Sequence, residues 1–182
     1  MSRTDARGLT LLELLMTIVV IGVIATIGVP TMQDMLARAQ AANALHHLSA
    51  TLATARMAAI QRRHPVTVCP MGADGRCPNE ATWTDGWLIY LDPTRSEQPA
   101  SEADVLRRID GSARVVLATT KGRLRVRFQG DGRSGGSNLT IRACTAGPGA
   151  RLLGLVIVNN SGRTRGERAS GSTPCPFSPV AS

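Results

Sequence analysis

An uninterrupted apolar segment near the N-terminus constrains this chain more than any other feature. Residues 9–30 contain no charged side chain except Glu13, and a helix of about 22 residues spans about 33 Å, enough to cross the core of a bilayer. A secretory signal peptide has a shorter apolar stretch followed by a cleavage site between small residues, so the segment predicts a retained membrane helix. Arg3 and Arg7 precede it and predict a cytoplasmic N-terminus, with the rest of the chain across the membrane.

The residues around Glu13 form a more specific pattern. A carboxylate costs about 2.5–3.5 kcal/mol at the centre of a membrane helix, and near the edge it can snorkel to the headgroups. Here a short basic leader ends in Gly8, Leu9 follows, and Glu13 comes four residues later. This arrangement resembles the class III leader of type IV pilins and pseudopilins, which usually have Phe where this chain has Leu9. The resemblance implies that a prepilin peptidase cleaves between Gly8 and Leu9 and methylates the new N-terminus. It also implies that Glu13 pairs with the terminal amine of a neighbouring subunit.

The helix is predicted to continue beyond the membrane. Residues 31–64 contain no Gly or Pro and are rich in Ala, which favours helix. Pro65 disfavours helical backbone at His64 and ends the helix there. His46 and His47 are expected on the helix surface rather than in a metal site. An apolar stripe that can lie on a sheet consists of Leu45, Leu48, Leu52, Ala55 and Ala59.

Beyond Pro65 the pattern changes to short strands separated by Gly, Asp, Asn and Pro. The predicted strands are 66–69, 86–91, 114–118, 124–128, 139–144 and 152–158. The last is almost continuously apolar and predicts a central strand buried on both faces. The predicted organisation is therefore a leader (1–8), a transmembrane half-helix (9–30), an outer half-helix (31–64) and a β-rich head (65–182). The chain has no nucleotide-binding loop, no G-x-S-x-G and no cluster of His with carboxylates, so we expect no enzymatic activity, cofactor or metal site.

The cysteines predict disulfides rather than zinc. Cys69, Cys77, Cys144 and Cys175 include no C-x-x-C pair. An even number of cysteines behind a membrane-targeting segment indicates an oxidising compartment and two disulfides, for which three pairings are possible. Cys69 and Cys77 flank a short loop whose glycines permit a tight turn, and this favours Cys69–Cys77 together with Cys144–Cys175.

Several motifs narrow the resemblance. W-T-D-G-W-L-I-Y-L-D, V-L-R-R-I, F-Q-G-D-G, L-T-I-R-A-C and S-G-R-T-R look like the head of FimT/GspH-type minor pilins and pseudopilins. The resemblance implies an α+β type IV pilin fold, in which a long N-terminal helix packs on a small antiparallel β-rich head. Trp83, Gly86, Trp87 and Asp92 match that family's signature. We expect the tryptophans to pack in the core rather than to form a ligand cage.

The net charge of +8 is concentrated in the last third of the chain, since residues 121–182 carry ten Lys and Arg against Asp131 and Glu167. K-G-R-L-R-V-R-F alternates strictly, so a strand would place its cations on one face at intervals of about 6.6 Å, comparable to phosphate spacing in a nucleic acid. These cations are Lys121, Arg123, Arg125 and Arg127. A solvated basic face that keeps the protein soluble is the alternative interpretation.

A second basic motif follows, N-N-S-G-R-T-R-G-E-R, which predicts Arg163, Arg165 and Arg168 on a turn flanked by glycines. Exposed arginines can bind phosphates through both ends of the guanidinium fork. Gly162, Arg163 and Arg165 match the G-R-x-R motif implicated in DNA binding by FimT-type pilins of naturally competent bacteria. In the alternative interpretation, these arginines bind carboxylates of neighbouring pilins.

Together these resemblances predict a non-enzymatic minor pilin of a type IV pilus that binds double-stranded DNA, without sequence preference, for uptake in natural transformation. The alternatives are a structural minor pilin that primes pilus assembly and the H-type pseudopilin of a type II secretion system. The expected partners are other pilins, the prepilin peptidase and the membrane. The expected location is the bacterial inner membrane, with the head in the periplasm, and then the pilus or pseudopilus.

Overall fold

The computed structural model describes residues 10–111, 115–120, 122–136, 138–170 and 172–177. It divides the chain into two units, Met1–Leu36 and Ala37–Ser182. One helix, α1 (Leu11–Arg62), contributes residues to both units.

The part of α1 in the first unit is apolar, and its large hydrophobic side chains are exposed. The helix is long and apolar enough to cross a membrane, with a mean hydropathy of 2.5 over its most apolar window. Hydroxyl groups within this segment bond the helix itself: Thr17 donates to the Leu14 carbonyl at 2.8 Å, and Thr26 donates to the Val23 carbonyl at 2.7 Å. These hydroxyl groups therefore have partners within the helix, as a membrane environment requires.

In the second unit, α1 buries one face. The stripe predicted from the sequence is confirmed, and Ala41 extends it by one turn; its buried residues are Ala41, Leu45, Leu48, Leu52, Ala55 and Ala59. The helix ends at Arg62, close to the predicted end. Arg63 adopts left-handed backbone with φ 53°, and its N–H donates to the Ile60 carbonyl at 3.3 Å.

Within the described residues, eight strands form two antiparallel sheets. They are β1 (Val66–Pro70), β2 (Gly86–Leu91), β3 (Val105–Asp110), β4 (Val115–Thr119), β5 (Val126–Phe128), β6 (Leu139–Thr145), β7 (Leu152–Val158) and β8 (Thr164–Arg168). The first sheet has the order β3-β2-β1-β5, and the second has the order β4-β6-β7-β8. The inner faces of both sheets and the stripe on α1 share one core, which includes Trp83, Trp87 and Phe128. The expected core position of the tryptophans is confirmed.

Two strand predictions need correction, and two strands were not predicted. β3 and β8 were not predicted; both are edge strands in which three residues are charged and none is fully buried. The strand predicted at 124–128 is shorter and begins at Val126. β7 lies inside its sheet as predicted, but its residues alternate between buried and half-buried, so it is not buried on both faces. The first residue of the strand predicted at 114–118 lies outside the described residues.

Both disulfides have the favoured pairing. Cys69 in β1 is bonded to Cys77, with their Cα atoms 5.7 Å apart, and Cys144 in β6 is bonded to Cys175, with their Cα atoms 6.0 Å apart. The first closes the loop that follows β1. The second ties the segment after β8 back to the second sheet, where Cys175 also donates its N–H to the Ala150 carbonyl at 2.9 Å.

Candidate functional site

The turn between β7 and β8 presents Arg163. Asn159 organises this turn: its side-chain Oδ1 accepts bonds from the Arg163 N–H at 2.9 Å and the Ser161 hydroxyl at 2.8 Å. Its backbone carbonyl accepts the Gly162 N–H at 2.9 Å. Arg163 therefore sits at a fixed point of the backbone, and its side chain is exposed. No carboxylate in the described part of the chain pairs with its guanidinium.

Gly162 has a packing role. Its φ is 76°, and an added Cβ would lie 2.1 Å from the carbonyl oxygen of Gly132, in the turn that follows β5. The same oxygen accepts a bond from Arg56 Nε at 3.0 Å. Gly162 therefore lets two turns approach each other against α1, and its role in DNA binding stays a prediction.

That contact brings together cations that sequence reasoning missed. The turn containing Gly132 carries Arg133, which is exposed and lies 3.6 Å from the Asp131 carboxylate. The end of α1 also reaches this turn, since an added Cβ on Gly130 would lie 2.8 Å from the backbone of Arg63. We call Arg63, Arg133 and Arg163 the turn surface. The glycines of F-Q-G-D-G and S-G-R-T-R indicate turns, but a single sequence does not show that the two turns are in contact.

The structure separates Arg165 from Arg168, a correction to the predicted shared turn. Both lie in β8 and are exposed. Arg165 is opposite Ile157 and Arg168 is opposite Gly154, so their side chains lie on opposite faces of the sheet. Arg165 pairs with Glu167 at 2.6 Å. Arg168 faces α1 and lines a groove of about 630 Å³ with Arg38 and His46.

The predicted row of cations before and within β5 is also corrected. Residues 122–125 are not in a strand, and Lys121 lies outside the described residues. Arg123 is exposed and donates to the Gly136 carbonyl, whereas Arg125 is half-buried. These residues do not form a straight row of cations on one strand face.

Arg127 belongs to a buried network. Neighbouring strands place it beside Thr67, which lies opposite both Arg127 and Tyr90. Its Nε donates to Asp92 Oδ2 at 2.7 Å, and its terminal nitrogen lies 2.6 Å from the same oxygen. Thr67 donates to that oxygen at 2.6 Å, and the Asp92 side chain is fully buried. Arg127 therefore compensates a buried carboxylate and is unavailable to a phosphate.

The same network changes the acidity of Tyr90. Burial, together with the nearby Asp92 charge, raises the pKa of Tyr90 to about 12, although Arg125 and Arg127 oppose the shift. The Tyr90 hydroxyl donates to the Ser96 carbonyl at 3.1 Å. Tyr90 is thus neutral at physiological pH and holds the loop after β2.

At the N-terminal end, Glu13 is exposed in the first turn of α1, where its N–H bonds the Thr10 hydroxyl at 3.3 Å. A carboxylate in this position is favoured by the helix dipole. Gly8 and Leu9 lie outside the described residues.

Two family models match the chain. The family model of type II transport protein GspH matches residues 44–162. The model of the prokaryotic N-terminal methylation motif matches residues 3–29. The chain belongs to the GspH family. The first match ends at Gly162, so Arg163 and Arg165 lie beyond it. The resemblance to FimT/GspH-type minor pilins and pseudopilins is confirmed at the level of the family.

Solved structures show the fold of this GspH-family chain. Two crystal structures of the type IV minor pilin FimU from Pseudomonas aeruginosa strain PAO1, in different space groups, are similar to it at 20% sequence identity. One has a TM-score of 0.56 and covers 76% of this chain and 95% of that chain; the other has a TM-score of 0.53 and covers 74% and 96%. The predicted α+β type IV pilin fold is confirmed. No curated protein gives a significant match to the chain.

Proposed function

We propose that this GspH-family chain is a non-enzymatic minor pilin whose head binds double-stranded DNA for uptake in natural transformation. The observation that carries the proposal is Arg163, an exposed cation at the end of a rigid turn, with Arg63 and Arg133 brought beside it by packed glycine turns. Because the turns hold the backbones of these arginines in place, only the side chains must be ordered when they bind phosphates.

Binding of this kind depends on charge rather than sequence. The turn surface offers cations for phosphates, and the β8 edge adds Arg165 once Arg165 exchanges Glu167 for a phosphate. In the described residues of the head, no helix protrudes that could enter the major groove, and the aromatic rings Trp83, Trp87 and Tyr90 are buried rather than available for base stacking. We therefore expect affinity to fall steeply with salt and to vary little among sequences.

A mobility shift with duplex DNA tests the proposal on the full chain in neutral detergent. Wild type is expected to bind at moderate salt, whereas the double variant Arg163→Gln, Arg165→Gln is expected to lose most of the binding. Arg107→Gln is the matched control, because Arg107 is an exposed arginine on β3, the far edge of the first sheet. Absence of binding by wild type would eliminate DNA binding, and equal binding by the double variant would eliminate the turn surface as its site.

The N-terminal segment is proposed to act in anchoring and assembly. The prepilin peptidase cleaves between Gly8 and Leu9, residues 9–30 hold the chain in the inner membrane with the head in the periplasm, and Glu13 pairs with the amine of a neighbouring pilin in the filament. Mass spectrometry of the mature protein is expected to find methylated Leu9, and an intact leader in cells that contain the peptidase would contradict this assignment. Glu13→Ala is expected to remain in the membrane but to enter filaments poorly.

The family match favours a second candidate function. GspH is described as a type II transport protein, so the chain is alternatively the H-type pseudopilin of a type II secretion system, or a minor pilin that only primes assembly. In these cases the turn surface binds carboxylates of neighbouring subunits. Loss of filament assembly in the Arg163→Gln, Arg165→Gln variant, without any DNA binding by wild type, would favour this alternative.

A further inference from the structure

The loop after β2 is fixed at several points. Asp92 Oδ1 accepts the Ser96 N–H at 2.7 Å, and the Ser96 carbonyl accepts bonds from the Tyr90 hydroxyl at 3.1 Å and from Arg127 at 3.2 Å. Two residues on, the Gln98 side chain accepts the Cys77 N–H at 3.0 Å and donates to the Cys77 carbonyl at 2.6 Å. A disulfide joins Cys77 to Cys69 in β1, so the loop is hydrogen-bonded to a residue that is itself linked covalently to the first sheet.

This fixed loop presents Arg95. The residue is exposed and has φ 58°, a left-handed conformation that is unfavourable for a side chain other than Gly. The bonds around Asp92 and Ser96 hold the backbone in this conformation. No carboxylate in the described ranges pairs with the Arg95 guanidinium. An exposed arginine that the fold maintains in a costly conformation points to a binding role.

Arg95 faces other cations across a groove. The groove has a volume of about 340 Å³, and its lining includes Arg95, Arg123, Arg125 and Glu97. Arg127 also reaches it, but the buried Asp92 compensates that charge. We call Arg95, Arg123 and Arg125 the arginine groove. Three cations against one exposed carboxylate create a site for an anion.

The arginine groove connects to the turn surface through one short segment. Ser134 donates its N–H to the Asn160 carbonyl in the β7–β8 turn at 3.1 Å, and Gly136, two residues later, accepts a bond from Arg123. Two residues span at most about 7 Å. The β7–β8 turn and Arg123 of the arginine groove therefore contact the same short segment.

We propose that the arginine groove binds the phosphodiester backbone of the DNA that the turn surface binds, as a second anchor on the same strand. The inference rests on the proposed function. An acidic protein segment is the less favoured ligand, because interface cores rely on apolar and aromatic anchors, and Leu124 is the only apolar side chain among the groove's lining residues in the described part of the chain.

Fluorescence anisotropy of a labelled duplex with the full chain in neutral detergent tests the second anchor. Asn tolerates left-handed backbone, so Arg95→Asn removes the charge and leaves the loop conformation accessible. We expect it to weaken binding about fivefold and to lower the salt slope by about one unit. Arg107→Asn is the matched control, because Arg107 lies on β3, the edge of the first sheet opposite β5. We expect it to leave the affinity and the salt slope unchanged.

A variant that is expected to bind DNA more tightly controls for misfolding. Glu97→Gln removes the carboxylate that faces the groove and is expected to tighten binding about twofold to fivefold. A damaged fold does not produce tighter binding.

The outcomes separate the inference from the proposed function. If Arg95→Asn and Glu97→Gln both bind as wild type does while Arg163→Gln, Arg165→Gln loses binding, the second anchor is wrong and the proposed function stands. If wild type binds no duplex, both fail. If wild type then binds a labelled polyglutamate peptide and Arg95→Asn abolishes that binding, the groove is a protein-docking site and the phosphodiester assignment is overturned.

Discussion

Arg127 and Arg163 lie in the same basic third of the chain, yet the fold uses them in opposite ways. Arg127 donates to a fully buried carboxylate, a threonine hydroxyl and a backbone carbonyl. Arg163 stands on a turn with its guanidinium in solvent. Arg127 therefore stabilises the head, whereas Arg163 is available to a ligand. The net charge of a segment does not distinguish these roles, because only the position of the opposite charge decides between them.

The largest expected effect is on stability and comes from Arg127→Ala. It leaves Asp92 buried without its cation, and breaking a buried pair in this way costs about 3–5 kcal/mol. The free energy of unfolding can be followed in urea by tryptophan fluorescence, since the chain has two tryptophans and both are buried in the head. A loss below about 1 kcal/mol, the value for exposed pairs, would remove the distinction between the two arginines.

The next effect is a loss of stability at high pH. Folded Tyr90 keeps its proton up to about pH 12, whereas an unfolded tyrosine loses it near 10. The folded head therefore holds its full stability below pH 10 and loses up to about 3 kcal/mol as the pH rises from about 10 to about 12. Urea titrations across this range measure the loss, and Tyr90→Phe is expected to reduce it. The same pH dependence in wild type and Tyr90→Phe would refute this assignment.

A smaller loss is expected for Gly162→Ala. The residue has φ 76°, and the added Cβ would meet the Gly132 carbonyl, so the substitution is expected to cost about 2 kcal/mol from strain and overpacking. Gly147→Ala is a useful control, because Gly147 also has positive φ but nothing lies within 4 Å of its added Cβ. If both variants lose the same stability, the contact between the turns contributes nothing.

The smallest effect on stability is expected for Arg163→Gln. An exposed side chain on a turn contributes within about 0.5 kcal/mol, and the bond to Asn159 comes from the Arg163 backbone, which the substitution retains. The urea midpoint should match that of wild type. A loss comparable to that of Arg127→Ala would assign Arg163 a structural role.

Much of the fold was predictable because its signals are local. The apolar stripe on α1, the Pro65 stop and six of the strands follow from periodicity and turn residues within a few positions. The edge strands β3 and β8 carry little such signal. β8 contains no large apolar side chain, and in β3 the apolar residues Val105, Leu106 and Ile109 do not alternate with polar ones.

The candidate site was less predictable because it depends on contacts between distant segments. The alternation from Lys121 to Phe128 predicted a row of free cations. Arg127 is not free, because it pairs with Asp92, 35 residues away in sequence. Arg133 and Arg95 were missed for the converse reason. Arg133 matters because its turn contacts the β7–β8 turn, and Arg95 matters because Gln98 helps to hold its loop. Neither contact leaves a pattern in one sequence.

The salt dependence of duplex DNA binding tests the central claim most directly. The slope of log affinity against log salt is measured for the full chain in neutral detergent, for wild type and for Arg163→Gln, Arg165→Gln. Each lost phosphate contact lowers the slope by about 0.9, so the variant is expected to lose about one to two units while its unfolding midpoint stays unchanged. An unchanged slope, with wild type still binding, would place DNA elsewhere and contradict a DNA-binding role for the turn surface.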